Sequence, residues 1–303
     1  MTPPALFQPG QVQIGITPTC WTNDDFPLLG NEISFEQCVS EMALAGYQGC
    51  SVGHRYPTDP KGLKAALDLR GLCVSEMWGS AYFTVRDMQQ STVDEFRRQL
   101  AFIKAMGGTD IGLAELGHSV HQRPVALKAN KPVFDDAQWK QMVDGLHRLG
   151  EIAAAENMRL CYHHHMGTGV QSRQEVDRLM ADTDPALVHL LLDTGHLYWA
   201  GDDPVALARD HAERIKHVHL KDIRRPLMEE SDRLGRSFSQ AILAGVFTVP
   251  GDGDVDFTAI LGALADRGYQ GWLVVEAEQD ASQAHPLTYA KMARSHLREV
   301  TGL

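Results

Sequence analysis

The strongest constraint on this chain is a rhythm. Eight short apolar runs alternate with longer amphipathic stretches. The runs are Gln13–Cys20, Gln48–Val52, Cys73–Trp78, Asp110–Glu115, Arg159–His165, His189–Asp193, Lys216–Leu220 and Gly271–Glu276, each of ordinary strand length. Ser34–Ala45, Pro60–Leu69, Val93–Met106, Asp136–Glu156, Ser172–Ala181, Pro204–His211 and Phe257–Asp266 lie between them with helical patterning, and Leu287–Val300 closes the chain. Punctuation agrees: Ser34 stands where a helix N-cap belongs, and Gly46, Gly71 and Gly107-Gly108 follow helix ends. Strands alternating with helices predict an α/β fold with a parallel sheet. Eight units in 303 residues predict one domain over 1–303, a (β/α)8 TIM barrel with a C-terminal helix. No GxGxxG follows the first run and no GxxxxGK[ST] occurs, which counts against the doubly wound nucleotide folds. One segment breaks the rhythm. Arg224–Val255, after the seventh run, reads as an extended loop on the upper face, a lid or substrate loop.

Charge narrows the partners. Lys and Arg number 28 against 39 Asp and Glu, a net −11. Such a chain lacks the positive field that nucleic acid or an anionic membrane surface demands. No stretch approaches the ~20 apolar residues of a membrane helix. The N-terminal MTPPALFQPGQVQIGIT has neither a basic region nor a long apolar one, so no secretory signal is visible. The five cysteines are odd in number and form no CxxC pair, which suggests neither a disulfide framework nor a thiolate zinc site. The expectation is a cytoplasmic protein with no nucleic-acid or membrane partner. The outward helix faces of a barrel leave room for a homo-oligomer.

The chemistry gathers at the ends of the last four runs. The fifth ends in His163-His164-His165 and the sixth in Asp193-Thr194-Gly195-His196. The seventh carries His217, His219, Lys221 and Asp222, and the eighth leads into Glu276-Ala277-Glu278. Strand ends of this kind meet at the catalytic rim of a barrel. Taken singly, each residue is more often a hydrogen-bonded structural group than a ligand. Four successive strands ending this way point to a site. Alternation places His163 with His165, His217 with His219, and Glu276 with Glu278 on shared faces. The rim can thus gather one imidazole from the fifth run, His163 or His165, with Asp193, His219 and Glu276 around one divalent ion. Mixed imidazole and carboxylate donors suit Mn²⁺, Co²⁺, Fe²⁺ or Zn²⁺.

Other rim segments offer candidates to bind a hydroxylated ring: Trp21 and Asn23 after the first run, His54 after the second, Glu76 on the third with Trp78 as an apolar wall, and Glu115 and His118 at and after the fourth. Arg225 in the extended loop and Glu278 complete this group. Glycine-rich VPGDGDVDF reads as turn chemistry.

Several tracts carry a family resemblance. GITPTCWTNDD, FEQCVSEMALAGYQG, YHHHMGTGVQ, LLLDTGHLYWAGDDP, HVHLKDIR, GVFTVPGDGDVDF and GYQGWLVVEAEQD resemble the inosose dehydratase family. DTGH, HVHLKD and GWLVVE mark the broader superfamily of xylose-isomerase-like barrels. The resemblance implies the same barrel and a divalent metal, typically manganese or cobalt. It implies dehydration of 2-keto-myo-inositol, a cyclic polyol ketone, to a trihydroxycyclohexane-1,2-dione in myo-inositol catabolism, with glutathione as a further cofactor. It places Asp193, His219 and Glu276 at the superfamily's ligand positions, and His163 where related isomerases and epimerases often carry a glutamate.

Elimination from such a ketone needs a base for the α-proton and an acid for the departing hydroxide. Glu276 or His165 is the expected base, and His196 or Lys221 the group that steadies or protonates leaving oxygens. Competing readings are an isomerase or epimerase on the same barrel, an abasic-site endonuclease, against which the charge of −11 counts, and a non-catalytic sugar-binding barrel.

Overall fold

Periodicity of two in the apolar runs and of 3.6 between them resolves into strands and helices that alternate around one axis. The computed structural model describes residues 5–303. Barrel strands β1 (Val12–Ile16), β2 (Gly49–Val52), β3 (Cys73–Ala81), β4 (Asp110–Glu115), β5 (Arg159–His163), β6 (Val188–Asp193) and β7 (Ile215–Leu220) run parallel. A short antiparallel ribbon, β8 (Asp222–Ile223) and β9 (Phe247–Thr248), comes next, and β10 (Gly271–Val275) is the last barrel strand. It pairs with β7 on one side and with β1 on the other, where Val12 faces Gly271 and Ile16 faces Val275, and so closes the sheet.

The helices are α1 (Phe35–Leu44), α2 (Pro60–Asp68), α3 (Gln89–Ala105), α4 (Asp136–Ala155), α5 (Arg173–Asp182), α6 (Thr194–Ala200), α7 (Pro204–Asp210), α8 (Arg225–Leu234), α9 (Phe238–Leu243), α10 (Phe257–Asp266) and α11 (Pro286–Thr301). Their starts follow local chemistry. Ser34 caps α1 through the Gln37 N–H, and Asp135 with Gln138, Ser172 with Glu175 and Ser237 with Gln240 form capping boxes. Buried Val39, Leu63, Phe96, Leu146, Leu179, Leu207 and Leu264 line the inward stripes of the outer helices. No helix among the described residues is long and apolar enough to cross a membrane.

The closed eight-stranded barrel is the expected fold, with differences at element ends. The first strand stops at Ile16, because Pro18 lacks a ladder N–H and begins a single 3₁₀ turn, Pro18–Cys20. The fifth strand ends at His163. Beyond it the His165 N–H turns to the Val170 carbonyl. Helix α6 has no counterpart in the sequence, because Thr194, Gly195, His196, Leu197 and Trp199 are all buried and leave no polar face to mark a helical period.

The segment read as an extended loop is instead built structure: α8, α9 and the β8–β9 ribbon. Asp222 anchors it. Its buried carboxylate accepts from the N–H groups of Ile223, Gly251, Gly253 and Val255 at 2.8–3.1 Å. Arg224 adds a bond to Asp252 at 2.5 Å and one to Thr248 Oγ1 at 3.0 Å. Removing Asp222 strands several backbone donors. Asp222→Ala is expected to cost about 2 kcal/mol, the scale of leaving buried donors unpaired, with Asp222→Asn costing less because one acceptor survives. Urea denaturation monitored by circular dichroism measures both.

Candidate active site

The C-terminal ends of β5, β6, β7 and β10 deliver His163, Asp193, His219 and Glu276 to one point. One donor atom from each lies within 4.8 Å of the others, and all four side chains are buried. His163 Nε2 is 3.2 Å from Asp193 Oδ2, and His219 Nδ1 is 3.8 Å from the same oxygen. His219 Nδ1 and Glu276 Oε2 approach to 2.6 Å, yet neither atom has an aligned hydrogen bond; His163 Nδ1 also lacks one. Buried polar atoms without partners are costly, and this convergence fits a divalent cation with mixed nitrogen and oxygen ligands.

Electrostatics suit the same ion. Burial raises the Asp193 carboxyl, but Lys221, His196 and His163 outweigh it and hold that group well below the usual range. Burial likewise works against ionised Glu276, and Lys221 and His219 bring it below its ordinary value. Burial keeps His163 below the usual imidazole range, so the ring is neutral, the form that ligates. His219 moves the other way. Burial disfavours its charge, but Glu76 and Glu276 raise it well above the ordinary value, so this point strongly attracts positive charge.

Each residue of the Asp193–His196 tract has a geometric task. Asp193 is the N-cap of α6. Its Oδ1 accepts from the His196 N–H at 2.8 Å, which leaves Oδ2 facing the donor group. Thr194 Oγ1 locks onto the backbone of Lys221, donating to its carbonyl at 2.7 Å and accepting from its N–H at 2.9 Å. Gly195 makes room, since a Cβ there would lie 2.6 Å from Lys221 Cγ. Lys221 Nζ then donates to His196 Nε2 at 2.9 Å and to Glu278 Oε2 at 2.7 Å, and stands 3.3 Å from Glu276 and 3.5 Å from Asp193.

These donors form the floor of a cleft. One wall is polar, with Thr17, Thr19, Asn23, Asp24, Asp25 and Ser51. Trp78, His163 and His165 face the cleft elsewhere, and Trp78 meets both imidazoles edge-on, with centroids 5.2 and 6.0 Å away. Asn23 Oδ1 holds the N–H groups of Asp25 and Phe26, while its buried Nδ2 has no hydrogen-bond partner.

Of the residues read as candidates, His163, His165, His219, Glu276, Glu278, Asn23 and Trp78 line this cleft. Asp193 reaches the donor group from beneath. Lys221 and His196 are fully buried behind the lining, Lys221 touching it through Glu276 and Glu278 and His196 through the His165 ring. The others lie elsewhere. Trp21 is packed in the core, its Nε1 donating to Glu41. His54 is exposed at the rim and pairs with Asp24 at 2.7 Å. Glu115 is spent on local turns, accepting from Phe83, Thr84 and Gly117. His118 sits in an exposed turn at φ 65°, with Nε2 directed at the Thr84 carbonyl. Arg225 begins α8 and lies over the Tyr198 ring at 5.4 Å.

One group has no signal in the sequence. His121 is buried 3.4 Å from Asp25 and against the His165 ring; nothing in its local sequence marks it. Glu76, a rim candidate from the sequence, lines the cleft and lies against His219.

Comparison with known proteins bears on the family and the fold. Residues 39–300 match the family model described as xylose isomerase-like TIM barrel. An inosose dehydratase of Geobacillus thermodenitrificans is 49% identical over 299 residues, 98% of this chain and 100% of that protein. One from Clostridium tetani is 47% identical, covering 97% and 99%. The chain belongs to the inosose dehydratase family. The wider barrel is shared at the level of fold alone: a D-psicose 3-epimerase crystal structure superposes with a TM-score of 0.72 at 17% identity, over 96% of this chain and 100% of that one. Within the inosose dehydratase family's barrel, Lys221 balances Asp193, Glu276 and Glu278. Lys221→Met leaves those carboxylates without their ammonium. Breaking a buried pair in this way costs about 3–5 kcal/mol. The remaining carboxylates then hold protons more tightly folded than unfolded, so the loss shrinks as pH falls. Thermal unfolding of metal-stripped protein should show a larger deficit for Lys221→Met at pH 7.5 than at pH 5.

Proposed function

We propose that this protein is an inosose dehydratase, a hydro-lyase that converts 2-keto-myo-inositol to 3D-(3,5/4)-trihydroxycyclohexane-1,2-dione in cytoplasmic myo-inositol catabolism. Identity of 49% along the full length of an inosose dehydratase carries this reading. The donor group and the cleft supply its chemistry.

His163, Asp193, His219 and Glu276 would hold the metal. A divalent ion there, Mn²⁺ or Co²⁺ by family resemblance, would supply Lewis-acid stabilisation of charge developing on a carbonyl oxygen. The polar wall of Thr17, Thr19, Asn23 and Ser51 suits the hydroxyls of the ring, and Trp78 covers its less polar face.

His165 is the base. Its Nδ1–H donates to the Met166 carbonyl at 2.8 Å, which leaves the lone pair on Nε2, and the side chain faces the cleft. Burial, His121 and His163 hold this imidazole well below its ordinary value, so it is neutral at pH 7. Glu278 is the acid. Burial pushes its carboxyl up to about 8, against the pull of Lys221 and with the push of Glu276. Oε2 is taken by Lys221, so the proton resides on Oε1.

His165 Nε2 removes the proton from the carbon beside the ketone. That bonding pair becomes the new C=C bond as the β C–O bond breaks, and the departing hydroxide takes the Glu278 proton and leaves as water. The enol formed tautomerises to the 1,2-dione. Donor atoms of His165 and Glu278 lie within 4.8 Å of each other, so proton and hydroxide leave from one face of the ring, and proton transfer between the two side chains resets the site. Lys221 and His196 position this acid rather than supply the proton.

The test is dione formation from 2-keto-myo-inositol by metal-stripped protein given Mn²⁺, Co²⁺, Zn²⁺ or Mg²⁺, with and without glutathione. Metal-dependent product is expected. Folded, metal-loaded protein that forms none overturns the reading. His165→Ala should keep its metal and lose about 10²–10⁴ in kcat, the usual range for general base catalysis, whereas Asp193→Ala should lose metal and turnover together.

A further inference from the structure

His219 is gripped from behind. Its Nε2–H donates to Glu76 Oε1 at 2.5 Å, while Nδ1 faces Asp193 and Glu276. Glu76 belongs to β3, which is not a neighbour of β7 in the closed sheet, so this contact crosses the barrel interior. Barrel interiors are ordinarily filled with branched apolar side chains. Here a column of charge runs down the axis instead. Glu76 Oε2 lies 3.3 Å from His217 Nε2, and His217 Nδ1 lies 3.8 Å from Asp110 Oδ2. Arg159 then holds both Asp110 oxygens, at 2.5 and 2.9 Å. Glu76, His217 and Asp110 are buried, and Arg159, at the start of β5, is half-exposed at the mouth opposite the cleft. Gly112 lies beside Glu76, where a Cβ would come within 3.0 Å of Oε2.

A carboxylate on the far nitrogen of a ligating histidine fixes its tautomer and ring orientation. We infer that Glu76 is a positioning residue for the metal: it holds His219 with Nδ1 as the donor atom, and His217, Asp110 and Arg159 back its charge from below. The inference rests on the metal reading of the donor group. Glu76 is not a fifth ligand at that point, because its hydrogen bond is to Nε2 and the His219 ring stands between it and the donors. The column also accounts for a run of buried ionic groups that the elimination itself does not use.

The probe is Mn²⁺ alone, titrated into metal-stripped wild type, Glu76→Gln, Glu76→Ala and Arg159→Met and followed by electron paramagnetic resonance. Visible spectra of the Co²⁺ forms are recorded alongside. Glu76→Gln should raise the Mn²⁺ Kd about 10–100-fold, the usual effect of losing such a partner, and shift the Co²⁺ bands. Glu76→Ala should lose more, since no acceptor remains. Arg159→Met, remote from the cleft, should weaken Mn²⁺ in the same direction by less, and it serves if the Glu76 variants fail to fold. Folded Glu76 variants with wild-type Mn²⁺ affinity and Co²⁺ spectra overturn the positioning role, and an unchanged Arg159→Met overturns the backing column. Wild type that binds neither ion removes the metal reading and this inference together. Wild type that binds both but leaves 2-keto-myo-inositol untouched removes only the dehydratase reading.

Discussion

Burying carboxylates and balancing them is the constraint on which the rest of this molecule depends. Asp193, Glu276, Glu278, Glu76 and Asp110 all lie in or beneath the barrel mouth, out of water. Each would be prohibitively expensive alone in a low dielectric. Lys221 answers Asp193 and Glu276 and holds Glu278 by a hydrogen bond, Arg159 answers Asp110, and imidazoles fill the gaps. Much of the local architecture serves that balance. The Asp193 cap frees one oxygen, Thr194 fixes the Lys221 backbone, and Gly195 lets its stem pass. A tract that looks like a binding motif is thus also a device for threading an ammonium group through the core.

The cleft divides the labour of the barrel between two arcs. Strands β5, β6, β7 and β10 hold the donors and the proposed base and acid. The segments after β1, together with β2, supply hydroxyl, amide and carboxylate groups with no part in the donor cluster, and β3 adds Trp78. The first arc is buried and densely cross-linked, whereas the second is built from turns such as the one Asn23 ties through Asp25 and Phe26.

The barrel was legible because eight apolar runs with helical spacers leave little else to build. Strand-end chemistry was equally open: His163, Asp193, His219 and Glu276 stand at the close of apolar runs, where the topology must bring them together. What the sequence did not show was direction beyond the strand ends. Trp21 and Glu115 sit on or just beyond rim strands and look like lining, yet each is consumed by a local bond, to Glu41 and to the turn at Phe83–Thr84. His118, His54 and Arg225 fall outside the cleft because turn geometry and helix starts aim them away. The segment after β7 reads as a loop because α8 buries only Ser231 of its ten residues and so shows no apolar stripe, and α9 spans just six. Glu76 stands among the rim candidates of the sequence, but its contact with His219 was not legible there, because it depends on β7 across the barrel.

The separation of the two arcs bears on how such a scaffold changes over time. Apart from Asp25, which pairs with His121 beside His165, the β1 and β2 turns can accept substitutions that alter which hydroxyls are read, without unbalancing the buried charges that hold the donors. Substitution among the donors or their counter-charges meets the opposite condition, since each partner is shared by several others. Drift in substrate range is therefore cheap in this molecule, and drift in the type of reaction demands several coordinated replacements at once. Kinship in the shape of the barrel and kinship in its chemistry can part company for that reason.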